Sequence, residues 1–295
     1  MSTPATIATL KRPKVIIGAS GLIGNAVKNA CGENVVILSW HEVGAPSLVS
    51  RKDLLATYLA SRVPHESCDY IIACGLTDPS AGRDRLFYSN FDFPTKLIEA
   101  TRSSGTARWI TFGTIHEKFD DCTQNNVYFQ SKKMLSDWMI KAAAQMPGRL
   151  THLRLHTVYG MPLNPRMFLG QIAQALKLNK PFNMSSGEQL REYHHVNDLA
   201  LAVSGLLDRR SPWDTVLELN SGRPIRLADL AKAVFNAYGK AHLLHIGALT
   251  RPPAENLDKI LHRTSADLLP VSRDPITGVI EVLREYLDSD TASVP

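Results

Sequence analysis

Tyr128 and Lys132 stand four residues apart at the head of the run YFQSKKMLSDWMIKAAAQM. Within it, Met134, Leu135, Trp138, Met139, Ala142, Ala143 and Met146 recur three and four apart, the apolar stripe of a helix packed on one side. Residues at that spacing share a helix face, so the phenol and the ammonium can converge on one point. A nearby ammonium favours the phenolate and moves the acidity of Tyr128 toward the physiological range. Such a pair suits proton transfer to or from a carbonyl or hydroxyl oxygen.

A pair of this kind needs elements to position it, and the rest of the chain supplies them. Lys14 to Gly18 reads as a short buried strand, followed by Ala19-Ser20-Gly21-Leu22-Ile23-Gly24 and a helix to about Ala30. Glycines at 18, 21 and 24 between a first strand and a first helix suit a dinucleotide. They allow a tight turn, close approach of the pyrophosphate to backbone, and close helix packing, with the helix N-terminus facing the phosphates. Asn34 to Leu38 is a second buried strand. Its end carries Ser39-Trp40-His41 rather than a carboxylate, which leaves room for a 2′-phosphate and favours NADP(H) over NAD(H).

Residues 49–61 read as a helix, and Asp69 to Gly75 as a third strand ending in the small residues Ala73, Cys74 and Gly75, where backbone passes close to a cofactor. A helix is expected from about Arg85 to Arg102 and a strand over Arg108 to Phe112, leading into Gly113-Thr114. Alternation this regular predicts an α/β fold with a doubly wound parallel sheet, its ligands at the carboxyl ends of the strands, where Thr114 lies. After a strand over Leu150 to Leu155 the alternation degrades. A helix spans 167–178, Pro181 to Met184 is extended, and Gly187 to Tyr193 is a polar turn. The segment His195-Val196-Asn197-Asp198 leads into a helix ending at Leu207, with Asn197 or Asp198 as its cap. Val216 to Leu219 returns as a strand, and helices follow at 226–238 and about 275–287. The expected division is a dinucleotide-binding domain over 1–162 with 193–223 returning to it, and a smaller C-terminal substrate-binding lobe from 163–192 and 224–295.

The chain has 295 residues, 44% hydrophobic and 21% charged, enough for a sizeable core and too apolar for disorder. Net charge is +5 with no block of five or more like charges, so no nucleic-acid tail is expected, while an anionic substrate is compatible. Cys31, Cys68, Cys74 and Cys122 show neither Cys-x-x-Cys nor zinc-ligand spacing, so buried thiols and no metal are expected. The first residues lack the apolar core of a signal peptide, and no run approaches the ~18 apolar residues of a membrane helix. A cytoplasmic protein is expected, with no membrane association.

Together these landmarks resemble the extended short-chain dehydrogenase/reductase family, in its nucleotide-sugar branch. The carriers are Gly18-x-x-Gly21-x-x-Gly24, Thr114 at a strand end, Tyr128-x-x-Ser131-Lys132, Arg154 through Tyr159-Gly160, and the segment Gly187 to Asp198. The resemblance spans about Lys14 to Leu287 and implies a catalytic set. Tyr128 acts as acid or base on the sugar oxygen, Lys132 holds the nicotinamide ribose, and Thr114 hydrogen-bonds the reacting oxygen. It implies Arg191 and Arg251 on the substrate diphosphate, and His116 near the substrate, two residues past Thr114, where epimerase-reductases of the GDP-fucose synthase type carry a reactive cysteine. The Asp-Glu that sugar 4,6-dehydratases carry directly after the catalytic Thr is absent. What remains is an NADPH-dependent reductase of a 4-keto-6-deoxy nucleotide sugar, similar to CDP-abequose synthase and serving glycan precursor synthesis. The alternatives are an epimerase with tightly bound NAD and a non-catalytic dinucleotide-binding member. The resemblance also implies a homodimer through the Tyr128 helix and the helix before it.

Overall fold

A computed structural model describes residues 12–63, 67–103, 106–124, 126–209, 212–219, 221–250 and 273–291. Strands β1 (Lys14–Ile17), β2 (Val35–Leu38), β3 (Asp69–Ile72), β4 (Arg108–Thr114) and β5 (Leu150–Leu155) enter one sheet with the later Val216–Leu219. Numbered in chain order that last strand is β10, because β6 (Thr157–Tyr159), β7 (Phe182–Met184), β8 (Leu190–Arg191) and β9 (Tyr193–His195) intervene. The six strands run β10-β5-β4-β3-β1-β2, and every pairing is parallel. This is the doubly wound architecture expected from the alternation, and helices cover both faces.

The strand side chains alternate between two apolar layers, as the pleat requires. On one face Val15, Ile17, Tyr70, Ile72 and Trp109 pack under α4 (Lys52–Arg62), α6 (Phe93–Thr101) and α8 (Val127–Ala143). On the other, Ile16, Ile71, Ile110, Phe112 and Leu153 pack under α1 (Leu22–Cys31) and α10 (Val196–Leu207). With both faces covered, β1 and β3 are buried along their whole length, the pattern of a parallel sheet. A third apolar cluster joins α9 (Phe168–Leu178), α11 (Leu227–Ala237) and α12 (Pro275–Thr291) around Ile172, Phe235 and Val279. Beside it, β8 pairs antiparallel with β11 (Ile225–Arg226), and β7 pairs parallel with β12 (Leu244–Ile246).

Four local expectations change. The helix expected over 49–61 is two, α3 (Pro46–Val49) and α4, preceded by the single turn α2 (Trp40–Val43). The helix expected from Arg85 to Arg102 is α5 (Arg83–Phe87) and α6 joined through a π-helical turn at Tyr88–Asp92. Helix α10 starts at Val196, and its cap is His195, whose Nδ1 accepts from the Asn197 N–H at 3.2 Å, not Asn197 or Asp198. Asp198 instead pairs with Arg273 at 3.1 Å. The polar turn after Gly187 contains β8. In the Tyr128 helix, Leu135 and Met139 are core residues and Trp138 and Ala142 pack against the same cluster. The monomer core therefore accounts for that stripe, and Met134 and Ile140 are the large apolar side chains α8 leaves exposed. Cys31 and Cys68 are buried, while Cys74 is half-buried. Among the described residues no helix is long and apolar enough to cross a membrane.

At the sheet end opposite the glycine loop, Asp69 is buried between Arg108, at 2.6 Å, and Arg12, at 2.8 Å. Arg108 also stacks on the Trp213 ring at 4.0 Å. Replacing Asp69 with Ala leaves the largely buried Arg108 without its carboxylate, so urea unfolding should show a loss of about 3–5 kcal/mol. Dinucleotide affinity, set at the other end of the strands, should not change.

Candidate active site

The glycine loop shapes a cleft of about 710 Å³ at the carboxyl ends of β1, β2 and β3. Gly18, Ser20, Ser39, His41, Cys74 and Gly75 line it, with Trp40, Leu76, Tyr88 and, from α5, Asp84 and Arg85. Gly18 has φ +91°, and a Cβ there would lie 2.6 Å from Cys74 N and 2.7 Å from the Ala73 carbonyl carbon. A Cβ on Gly24 would overlap the Gly18 carbonyl, so the first turn of α1 sits directly on the loop. At Gly21, the N-cap, a Cβ would meet only the Gly18 carbonyl oxygen, in ordinary contact at 3.4 Å, and no side chain caps the helix, so the N–H groups of its first turn are left without a side-chain partner. This cradle fits a dinucleotide pyrophosphate. Ala73 is held by its N–H to the Ile17 carbonyl at 2.9 Å and does not line the cleft. At the β2 end, Ser39 caps α2 by accepting from the His41 N–H at 3.3 Å, and the His41 side chain is exposed. Trp40 packs edge-on against Phe93, centroids 4.7 Å apart, and Tyr88 ties its hydroxyl to the Gly44 carbonyl at 2.8 Å.

Thr114, Tyr128 and Lys132 lie beyond this cleft, joined to it through Gly75, where a Cβ would stand 3.3 Å from Lys132 Nζ. Lys132, 8% exposed, donates from Nζ to the Phe112 carbonyl at 2.8 Å, near the end of β4. Two residues on, Thr114 caps a 3₁₀ turn over Ile115–Lys118. Its N–H donates to Glu117 Oε2 at 3.2 Å. Glu117 is 1% exposed and also accepts from Arg154 Nε at 2.6 Å and His152 Nε2 at 3.1 Å. Burial alone would raise the Glu117 carboxyl, but His152 and Arg154 outweigh it and hold it at about 2. Burial draws the Lys132 ammonium down to about 8, against opposing contributions from Glu117 and Cys74.

Tyr128 departs from expectation. Its acidity is not moved toward neutrality; burial and then the Glu117 charge push its pKa up, so the phenol is neutral. The main reason is burial of the phenol, to which the Glu117 carboxylate adds, while Lys132 points its ammonium at a backbone carbonyl.

His116 Nδ1 lies 3.1 Å from Thr114 Oγ1, and its ring stacks on Phe129 at 4.7 Å, next to Tyr128. Burial, then Arg191 and His156, lower His116 to about 4. Arg191 on β8 thus faces this region, with Nη1 also donating to the Leu190 carbonyl at 2.9 Å. Arg251 lies outside the described residues. His156, held at about 4 mainly by burial, has a buried Nε2 without a hydrogen-bond partner among the described residues and stacks near His194 at 5.9 Å.

Sequence reading missed Asn90, Glu117, His152 and His156. Asn90 is wholly buried in the π-helical turn. It accepts from Leu76 N at 3.1 Å, donates to Leu76 O at 2.9 Å and donates to Ser131 Oγ at 3.0 Å. It therefore fixes the β3 loop to the helix carrying Tyr128 and Lys132. A polar residue inside an apolar helical pattern was the available signal. For Glu117 it was an acid three residues after a Thr, the spacing of a capping box.

One pH dependence follows from the two histidines. Each protonates near 4 in the fold and near its ordinary 6.5 when unfolded, so between those values the unfolded chain binds more protons. Stability present above pH 6.5 should fall as pH drops toward 4. His156→Gln should shrink the difference in urea stability between about pH 7 and about pH 5 by about 1 kcal/mol or more.

The fold and site invite comparison with known proteins. Residues 15–216 match the model of the NAD dependent epimerase/dehydratase family. No curated protein sequence matches. Among solved structures, the chain is similar to the UDP-N-acetylglucosamine 4-epimerase of Methanobrevibacter ruminantium M1 in complex with UDP-N-acetylmuramic acid. The two are 15% identical with TM-score 0.75, covering 96% of this chain and 99% of the other. It is also similar to the UDP-glucose 4-epimerase of Thermus thermophilus complexed with NAD, at 17% identity and TM-score 0.71, covering 96% and 100%. RMD from Pseudomonas aeruginosa complexed with NADPH shares 14% identity with TM-score 0.73, covering 94% and 99%. At these identities the likeness is one of fold, and the match over most of the sheet decides the family. The chain belongs to the NAD-dependent epimerase/dehydratase family of extended short-chain dehydrogenases/reductases.

Proposed function

We propose that the protein is an NADPH-dependent reductase of a 4-keto-6-deoxy nucleotide sugar. The observation that carries this reading is the β4 end. There Thr114, and Lys132 with Tyr128 on the same helix, stand beside the glycine cleft, while the only acid in the following turn, Glu117, is withdrawn into an ion pair with Arg154 and a hydrogen bond with His152. A dehydratase needs a free acid and base in that turn; here the carboxylate is committed to Arg154 and His152.

The cofactor would lie with its pyrophosphate over Gly18 to Gly24 and supply the hydride. Tyr128, kept as a neutral phenol, gives its proton to the substrate carbonyl oxygen as negative charge develops there. Thr114 donates its hydroxyl to the same oxygen, and the Lys132 ammonium holds the ribose. Ser39 and His41, with no carboxylate at that strand end, together with Arg85 across the cleft, suit a 2′-phosphate and hence NADP(H). Arg191, close enough to depress His116, suits the substrate diphosphate, and His116 the sugar. A cytoplasmic homodimer with a nucleotide-sugar substrate, its smaller lobe built on the third apolar cluster, completes the reading. Two of the similar folds above belong to epimerases, so epimerisation with retained NAD is the second reading.

Titrating ligand-free protein with NADPH and NADH by fluorescence, with and without CDP, GDP, UDP and dTDP, tests it. Reversible NADPH binding with one preferred nucleotide is the expected result; NAD inseparable from the purified protein selects the epimerase. Tyr128→Phe should lower kcat on the 4-keto sugar by about 10²–10⁴-fold with NADPH affinity intact. Lys132→Met should weaken both.

A further inference from the structure

We infer that Glu117 is the positioning residue of the reacting set: it holds the Thr114 backbone at the strand end and sets a fixed negative charge next to the residue whose neighbour anchors the Lys132 ammonium. This rests on Thr114, Tyr128 and Lys132 being that set. Three consecutive residues of β4 tie the groups together. Phe112 gives its carbonyl to Lys132 Nζ at 2.8 Å, and Thr114 gives its N–H to Glu117 at 3.2 Å. Between them Gly113 has no side chain, and a Cβ there would overlap His152 Nε2 and stand 2.5 Å from Glu117 Oε2. The carboxylate can occupy this place only because residue 113 is glycine.

The charge has work beyond hydrogen bonding. Lys132 on α8 is anchored to Phe112, one residue from the Gly113 position beside Glu117 Oε2, and its charge and the Tyr128 phenol are both coupled to that carboxylate; from β5, His152 and Arg154 bond it directly. Behind Arg154 lies Glu218 of β10 at 3.7 Å, itself paired with Lys118 at 2.6 Å. Cys74, at the β3 end, keeps its thiol proton, since burial pushes it up to about 12. Among the described residues, Glu117 is thus the permanent anion that both Lys132 and Tyr128 feel. Burial already draws Lys132 to about 8 with Glu117 opposing it, so a neutral residue at 117 lets the ammonium lose its proton at lower pH. A clamp that acted only through hydrogen bonds would not move that titration.

The test is the pH dependence of trace acetylation of Lys132, read by mass spectrometry on the full-length, ligand-free protein. The midpoint should fall by about one pH unit or more in Glu117→Gln. In His152→Gln, which removes a hydrogen bond but keeps the carboxylate, it should stay with the wild type. If E117Q titrates with the wild type, or H152Q moves as far as E117Q, Glu117 is structural only and the inference falls. Should E117Q not fold by circular dichroism, E117D carries the test. Its carboxylate is drawn back by one methylene, so a smaller fall is expected, and no fall overturns the inference. Labelling needs neither cofactor nor sugar, so a shift without ketone reduction would sink the reductase and leave this inference standing.

Discussion

The site hangs on the grip that two buried charges exert on the last residues of β4. Lys132 reaches across from α8 to the Phe112 carbonyl, and Glu117 folds back to the Thr114 N–H. Opposite charges thus hold one short stretch of backbone, one from each side of Gly113. A buried carboxylate and a buried ammonium are each costly to desolvate, and neither would persist without its hydrogen bonds. Glu117 accepts from a backbone N–H, an imidazole and a guanidinium, which satisfies it without exposing it to substrate. On the proposed reading, the acid nearest Thr114 in this turn therefore serves geometry and charge rather than proton transfer.

The parallel sheet makes such a grip possible. Strands β3, β4 and β5 end at one edge, so Cys74 and Gly75, Thr114, and Arg154 come together though far apart in the chain. Helix α8 packs on this edge through Leu135 and Met139, which leaves the start of the helix, with Tyr128 and Lys132, over the strand ends. Asn90 adds the lateral constraint, bonding both Leu76 backbone groups and Ser131, and the π-helical turn brings its side chain to that loop. Depth below the surface then sets the electrostatics. Burial lowers His116, His156 and Lys132 and raises Tyr128 and Cys74, so at about pH 7 both histidines, the phenol and the thiol are neutral while Lys132 stays an ammonium.

What the sequence by itself determined was the periodic and local part. The six parallel strands, the glycine loop, the helix of Tyr128 and Lys132, and Thr114 at a strand end follow from period-2 and period-3.6 patterns and from glycine spacing, because those signals are carried by neighbours in the chain. Boundaries slipped where a local interaction competed, as when His195 rather than Asn197 or Asp198 capped α10. Only the tertiary structure decided which charge faces which. Spacing alone put the Lys132 ammonium on Tyr128, whereas packing aimed it at Phe112 and placed Glu117 as the charge Tyr128 feels. Glu117 and His152 are 35 residues apart in the chain. Their contact exists because β4 and β5 pair in register, and electrostatics depends on distance through space, which a one-dimensional pattern does not contain.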